Sequence, residues 1–316
     1  MQARSEKRHF YKPTKRSPWK TFLKNKELLL LTMPAVLYFL VFHYMPMAGI
    51  YMAFTDYSHA DGIFGSQFVG FKWFEIFLQG DLTRVTRNTM AYGFVNTMMG
   101  VVTGVFTAIM LGRLKSRASV KTYQTIMIIP HFMSWIVVSL ILYIFLDPMY
   151  GAINNALLRM GHQDIMWYTE PGYWPFILVF MNIWKGVGMG CVMYYAAMMG
   201  IDPTLYEAAN IDGAGNLAKI RFITLPALVP LMTILVILSM GSLFRGDFGL
   251  FYSLPRNVGV LYPTTDILDT YIYRGLRQGR LSLNVAAGLF QSVMGFISIL
   301  TVNLVVKKLN SENSLF

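Results

Sequence analysis

Charge is scarce in this chain: Asp, Glu, Lys and Arg together make up 14% of its 316 residues. A soluble protein of that length covers itself with such side chains, so the scarcity argues against any water-exposed globular fold. Cysteine occurs once, as Cys191 inside an apolar run, which excludes an internal disulfide framework and a thiolate metal site. The five histidines, His9, His43, His59, His131 and His162, are scattered without paired metal spacing. No G-x-S-x-G and no carboxylate pair within one apolar stretch supplies a catalytic constellation, so neither a catalytic nor a metal site is expected. A nucleotide-binding G-x-x-x-x-G-K-[ST] loop is missing too. The run from Lys185 to Gly190, KGVGMG, has the wrong spacing and lies within an apolar stretch, where its glycines suit helix packing or a pliable point. No internal repeat, low-complexity segment or second soluble domain is visible.

What the chain has is hydrophobicity: 55% apolar residues, 15% aromatics and a mean hydropathy of +0.46. Crossing a hydrocarbon core takes about 20 apolar residues as a helix. Six stretches are long enough, 28–54, 89–112, 122–146, 173–199, 227–248 and 283–306. In lipid their backbone groups must be satisfied internally, which makes them helices and the expected class an all-α membrane protein with six transmembrane helices. The basic leader and the long apolar run after it read as a retained anchor, with no cleavable signal peptide.

The net charge of +11 invites a nucleic-acid interpretation, but its distribution points to the membrane. Residues 1–26 hold nine Lys or Arg, 113–121 hold four, 200–225 add Lys219 and Arg221, and the tail adds Lys307 and Lys308. The intervening segments 55–88, 147–172 and 249–282 share eight. The positive-inside rule then puts both termini in the cytoplasm, in agreement with six crossings. Three parts follow: a basic cytoplasmic N-terminal segment at 1–27, a transmembrane domain at 28–307 and a cytoplasmic tail at 308–316. On the opposite side, 68–78 and 150–160 are expected as short interfacial helices. Gly100, Gly104, Ala108 and Gly112 form a stripe of small residues for close helix packing. Pro34, Pro46 and Pro130 should kink their helices.

One polar stretch stands between two apolar runs: YEAANIDGAGNLAKIRFITLP, residues 206–226. Asp202 followed by Pro203 is a helix start, Gly213 suits the left-handed position that ends a helix, and Asn216 is placed to cap a second short helix, NLAKIRFI. A helix of about nine residues is marginal alone in water. Leu205, Tyr206 and Ala209, with Ile211 nearby, give it an apolar side, and Ala208 and Ala209 keep it slim. Such a rod is shaped for a groove on a partner.

Glu207-Ala208-Ala209, then Gly213, then Ile223-x-Leu225-Pro226 resembles the EAA loop of binding-protein-dependent ABC importer permeases, spacing included. RNTMAYGFVNT, IIPHFMSWIVV, NIWKGVGMG and DILDTYIYR extend the likeness to the sugar-importing, maltose-permease-related group, and to its branch for oligosaccharides and polysaccharide fragments such as aldouronates. The resemblance implies a type I ABC importer permease fold in which the cytoplasmic EAA loop, 200–226, carries the coupling helix. Tyr206, Glu207, Ala208, Ala209, Asp212 and Gly213 would dock an ATPase subunit. It also implies a second permease, making a heterodimer, two ATP-binding subunits and an extracytoplasmic solute-binding protein. No cofactor is expected in this chain, ATP and Mg being used by the partner ATPase. Within the membrane, ionisable and sugar-stacking side chains mark candidates for the substrate pathway: Asn182, Trp184, Lys185, Tyr194, Arg245 and Gln291. A permease for a non-sugar solute is the nearest alternative. An ion-coupled secondary transporter would call for inverted repeats and broken half-helices, which the sequence does not display, and would leave 206–226 without a role.

Overall fold

A computed structural model describes residues 26–309, so the basic leader at 1–25 and the tail at 310–316 lie outside the described residues. The chain divides into two units, one ending at Tyr51 and one beginning at Met52. In the first, helix α1 (Lys26–Phe39) contains Pro34 and runs into a π-helical turn at Leu40–Tyr44. Tighter 3₁₀ turns continue as far as Phe54.

The second unit opens on a two-stranded antiparallel ribbon, β1 (Thr55–Asp56) with β2 (Gln67–Phe68). Beyond it come the short helix α2 (Lys72–Gln79), then α3 (Leu82–Gly112), α4 (Arg117–Ile128) and α5 (Trp135–Leu146). A short α6 (Ala152–Arg159) leads to the long α7 (Trp174–Met199). The polar loop forms α8 (Pro203–Ile211), and α9 runs from Asn216 to Gly241. Two short helices, α10 (Phe248–Ser253) and α11 (Leu268–Arg277), precede the last, α12 (Leu281–Leu309). Among the described residues, five helices are long and apolar enough to cross a membrane, or six when the bent pair α4–α5 is counted as one. The stretches 68–78 and 150–160 do hold short helices, α2 and α6, although Phe68 at the start of the first lies in β2. In α6, the buried Asn154 donates to the carbonyls of Pro148 and Ile165 and accepts from Trp167 Nε1.

Three expectations need correction. The third apolar stretch is not one rod: α4 with the turn after it and α5 meet at 99°. Pro130 withdraws a backbone donor, Met133 is extended, and Ser134 starts a new helix by accepting from Val137 N at 3.3 Å. The kink expected at Pro130 is thus a full break. The fifth stretch stops at Gly241, short of 248, because Asp247 caps a separate helix by accepting from Leu250 N. Finally, NLAKIRFI is not a second short helix. Gly215 occupies the cap position, Asn216 is already helical, and the segment passes through a π-helical turn at Ile220–Thr224 into α9 without a break. Pro46 and Pro226 both follow a π turn by two residues. A proline ring collides with the carbonyl four residues earlier, and the wider turn opens that space.

The core forms where small residues let helices touch. A Cβ at Gly104 would lie 3.0 Å from the Tyr194 ring of α7, and one at Gly112 equally close to Met198. Ala108 is fully buried between them, alongside Cys191 and Leu228. Gly100, the fourth member of the stripe, has open space before it. The tightest approach is Gly188, where a Cβ would strike Met127 O and come within 2.7 Å of Ile128 N, one turn before the break. Both obstacles are backbone and cannot swing aside. Gly188→Ala is therefore expected to cost about 1–3 kcal/mol through overpacking. Gly100→Ala should leave the thermal unfolding midpoint nearly unchanged, and fluorescence-monitored melting of both variants in detergent checks the pair.

Candidate functional site

Helix α8 is short, and its ends are fully specified by local chemistry. Asp202 Oδ1 accepts from Thr204 N at 2.9 Å and Pro203 occupies the first turn. The exposed Asp202 carboxyl is held below its ordinary range by that backbone N–H and by the Thr204 hydroxyl, with slight burial opposing. Because the folded pKa is depressed, the cap's contribution is present above the unfolded carboxylate pKa and is lost as pH falls through the folded one. At the other end Gly213 has φ +73°, Gly213 N donates to Asn210 O and Ala214 N to Ala209 O. This is the paired closure of a Schellman turn, and its left-handed residue is where only glycine is free of strain.

A helix this short needs holding, and two contacts fix it to α9. Tyr206 Oη and Thr224 Oγ1 share a hydrogen bond of 2.9 Å, and Lys219 Nζ donates to Asn210 Oδ1. The six docking candidates accordingly separate. Glu207, Ala208 and Asp212 are exposed, Gly213 shapes the turn, and Tyr206 and Ala209 turn half-buried toward the bundle. Leu205, Ile211 and Leu217 complete the outward surface at 52%, 87% and 79% exposure. The single apolar side expected of Leu205, Tyr206 and Ala209 is thus two sides, one anchoring and one free.

Inside the bundle a cavity of about 340 Å³ opens between α3, the break after α4, α7 and α9. Asn182 and Tyr194, two of the six pathway candidates, line it. Gly100 and Gly186, which have nothing near their missing Cβ atoms, leave its walls open. Asn96 and His131 line it too, and sequence reasoning did not select either. The buried Asn96 Oδ1 has no hydrogen-bond partner among the described residues, an expensive condition at membrane depth unless a ligand or water completes it. Thr97, Thr103 and Ser239 turn their hydroxyls back onto their own helices. The only sequence signal for His131 was its place directly after a proline within an apolar run.

The remaining candidates lie elsewhere. Arg245 and Gln291 line a different cavity of about 520 Å³ with Asp269 and Tyr273. There Gln291 Nε2 donates to Phe244 O at 2.7 Å, tying α12 to the chain leaving α9. Trp184 packs half-buried against the cluster around Trp174 and Leu178. Lys185 Nζ sits 4.7 Å from the centre of the Trp135 ring, whose Nε1 donates to Asp247 Oδ2 at 2.6 Å. A ring face is one of few partners that stabilise an ammonium away from water. The six are therefore not one site.

A bundle of membrane-length helices with a half-open cavity carrying a few amides on a mostly apolar lining, and an exposed, doubly capped rod, fits the membrane-embedded part of a transporter. The chain belongs to the family described as binding-protein-dependent transport system inner membrane component, which residues 100–311 match. Among its relatives is Protein LplB of Bacillus subtilis (strain 168), 34% identical over 93% of each chain. The polygalacturonan/rhamnogalacturonan transport system permease protein YteP of the same strain is 33% identical over 92% of this chain and 90% of its own. A solved structure of a bacterial alginate ABC transporter, in complex with an alginate pentasaccharide-bound periplasmic protein, contains a chain that superposes with a TM-score of 0.84. That chain is 31% identical, over 93% of this chain and 98% of its own.

Proposed function

We propose that this chain is the permease subunit of an ATP-driven ABC importer for oligosaccharides or polysaccharide fragments, working by alternating access. Both termini and α8 face the cytoplasm, in keeping with the excess of Lys and Arg on that side. The observation that carries the proposal is the rod at 203–213. Capped at both ends and bonded to α9 through Tyr206 and Thr224, it presents Leu205, Glu207, Ala208 and Ile211 outward and transmits force directly to a membrane-crossing helix. Two ATP-binding subunits use ATP and Mg²⁺ and grip this rod. A second permease and an extracytoplasmic solute-binding protein complete the assembly.

The cavity with Asn96, Asn182, Tyr194 and His131 is the solute-contacting part of this subunit. Unpartnered amides suit sugar hydroxyls, and an aromatic face suits ring C–H groups. The names of two relatives refer to acidic polymers, and Lys185, with no acid of this chain paired to it among the described residues, fits a carboxylate-bearing sugar. Uptake into vesicles by the assembled importer tests this. Asn96→Leu with Asn182→Leu should lower kcat/KM for the transported oligosaccharide roughly tenfold to thirtyfold, two lost hydrogen bonds being worth about 1 kcal/mol each. Lys185→Met should depress uptake of acidic oligosaccharides more than of neutral ones. Equal loss for both removes the charge argument, and unchanged uptake in the asparagine pair removes the cavity from the pathway.

A further inference from the structure

A second cavity, of about 300 Å³, lies at the α8 end of the bundle, where the ends of α3 and α7 meet α8 and the start of α9. We propose that it is a binding site for a phosphate-bearing anion. Arg113 at the end of α3 and Lys219 in the first turns of α9 both line it, and neither has an ion pair among the described residues. Among the described residues no carboxylate lines it; the acidic residues of α8 and its flanks, Asp202, Glu207 and Asp212, are not among its walls. Two hydroxyls, Tyr206 Oη and Thr224 Oγ1, already meet there, and Asn216 adds an amide.

The backbone contributes as well. Helix α9 begins at the pocket's rim, and Gly215 leaves its first turn without a side-chain cap, so the positive end of a long helix is open there. Two cations without a carboxylate partner, Lys219 also donating to Asn210 Oδ1, an amide and a helix N-terminus around one cavity match the needs of a phosphate group. The lining also includes Ile109, Met198 and Met199, which suit an acyl chain attached to that phosphate. Such a ligand would bridge α3, α7, α8 and α9, and so stiffen the rod against the bundle. This last consequence rests on the coupling role proposed above; the binding itself does not.

Thermal unfolding of the full chain, assembled with its partner subunits in neutral detergent, tests the site by binding rather than by transport. The probes are phosphatidylglycerol, phosphatidylcholine as the zwitterionic reference, and inorganic phosphate. Phosphatidylglycerol should raise the midpoint saturably and phosphatidylcholine should not. Arg113→Gln with Lys219→Gln should weaken half-saturation by about tenfold or more, since each basic side chain contributes to holding an anionic headgroup. Lys307→Gln with Lys308→Gln, which removes the same charge from the end of α12, should leave it unchanged. If the double variant does not assemble, each single substitution is read the same way. A response to phosphatidylglycerol alone identifies a lipid, and an equal response to inorganic phosphate identifies a soluble phosphate compound; either supports the site. It is overturned if neither probe shifts the midpoint, if the response survives in the pocket variants, or if the α12 variants lose it equally.

Discussion

Leu205→Asp combined with Ile211→Asp should separate this chain from the ATPase subunit proposed to grip α8, weakening their association roughly a thousandfold. Leu205 and Ile211 are 52% and 87% exposed on the outward surface of α8, so the folded bundle loses little when they change. In a partner's cleft, burying each is worth about 1.5–3 kcal/mol, and an introduced carboxylate adds a desolvation penalty. About 4 kcal/mol is therefore at stake, and 1.4 kcal/mol is a factor of ten. Co-purification of the ATPase subunits and solute-stimulated ATP hydrolysis should both collapse, while the variant's own melting midpoint holds. Glu207→Gln removes one charge without the apolar anchors and should weaken the same association by a smaller factor. Intact co-purification in the aspartate variant would mean that the rod is not the docking element.

Asp266→Asn should be the most damaging single substitution for stability. Its carboxylate is fully buried and accepts from Arg274 Nη2 at 2.6 Å, Arg84 Nη2 at 3.2 Å and Thr270 Oγ1 at 2.7 Å. Its backbone carbonyl accepts from Asn88 of α3, and Arg274 also lies 4.0 Å over the Tyr262 ring. The cluster fastens α11 to the start of α3. Neutralising the acid strands the largely covered Arg274 guanidinium, while Arg84 keeps Asp81 at 2.7 Å, and removing one partner of a buried pair costs about 3–5 kcal/mol. A fall in melting midpoint on the order of 10 °C follows. Arg84→Gln should cost much less, because Asp266 keeps Arg274 and Arg84 is the more exposed cation. Equal losses in the two variants would show that the acid is not the centre of the cluster.

Most of α8 was legible in the sequence because its determinants are local. Asp202, Pro203 and Gly213 act within four or five residues of themselves, and the cap, the first turn and the left-handed closure all stand where they were expected. The small-residue stripe was legible as packing for the same reason, except at Gly100, which borders the cavity instead. The pathway candidates fared differently. Nothing in the sequence says that Trp184 faces the core, that Lys185 lies over Trp135, or that Gln291 is occupied by the Phe244 carbonyl. Around helices α3, α9 and α12 the polar side chains are not gathered on one side, so they carry no amphipathic face from which direction can be read.

The linear order of residues determined by itself that this chain belongs in lipid, how many stretches can cross it, and where the capped rod begins and ends. Each follows from the length of an apolar run or from chemistry within one helical turn. Tertiary packing alone decided the 99° break after Pro130, the inward turn of Tyr206, the meeting of Asn96 with Asn182 and His131, and the burial of Asp266 between two arginines. Those outcomes depend on which neighbour a helix meets, and side chains far apart in the chain settle that jointly.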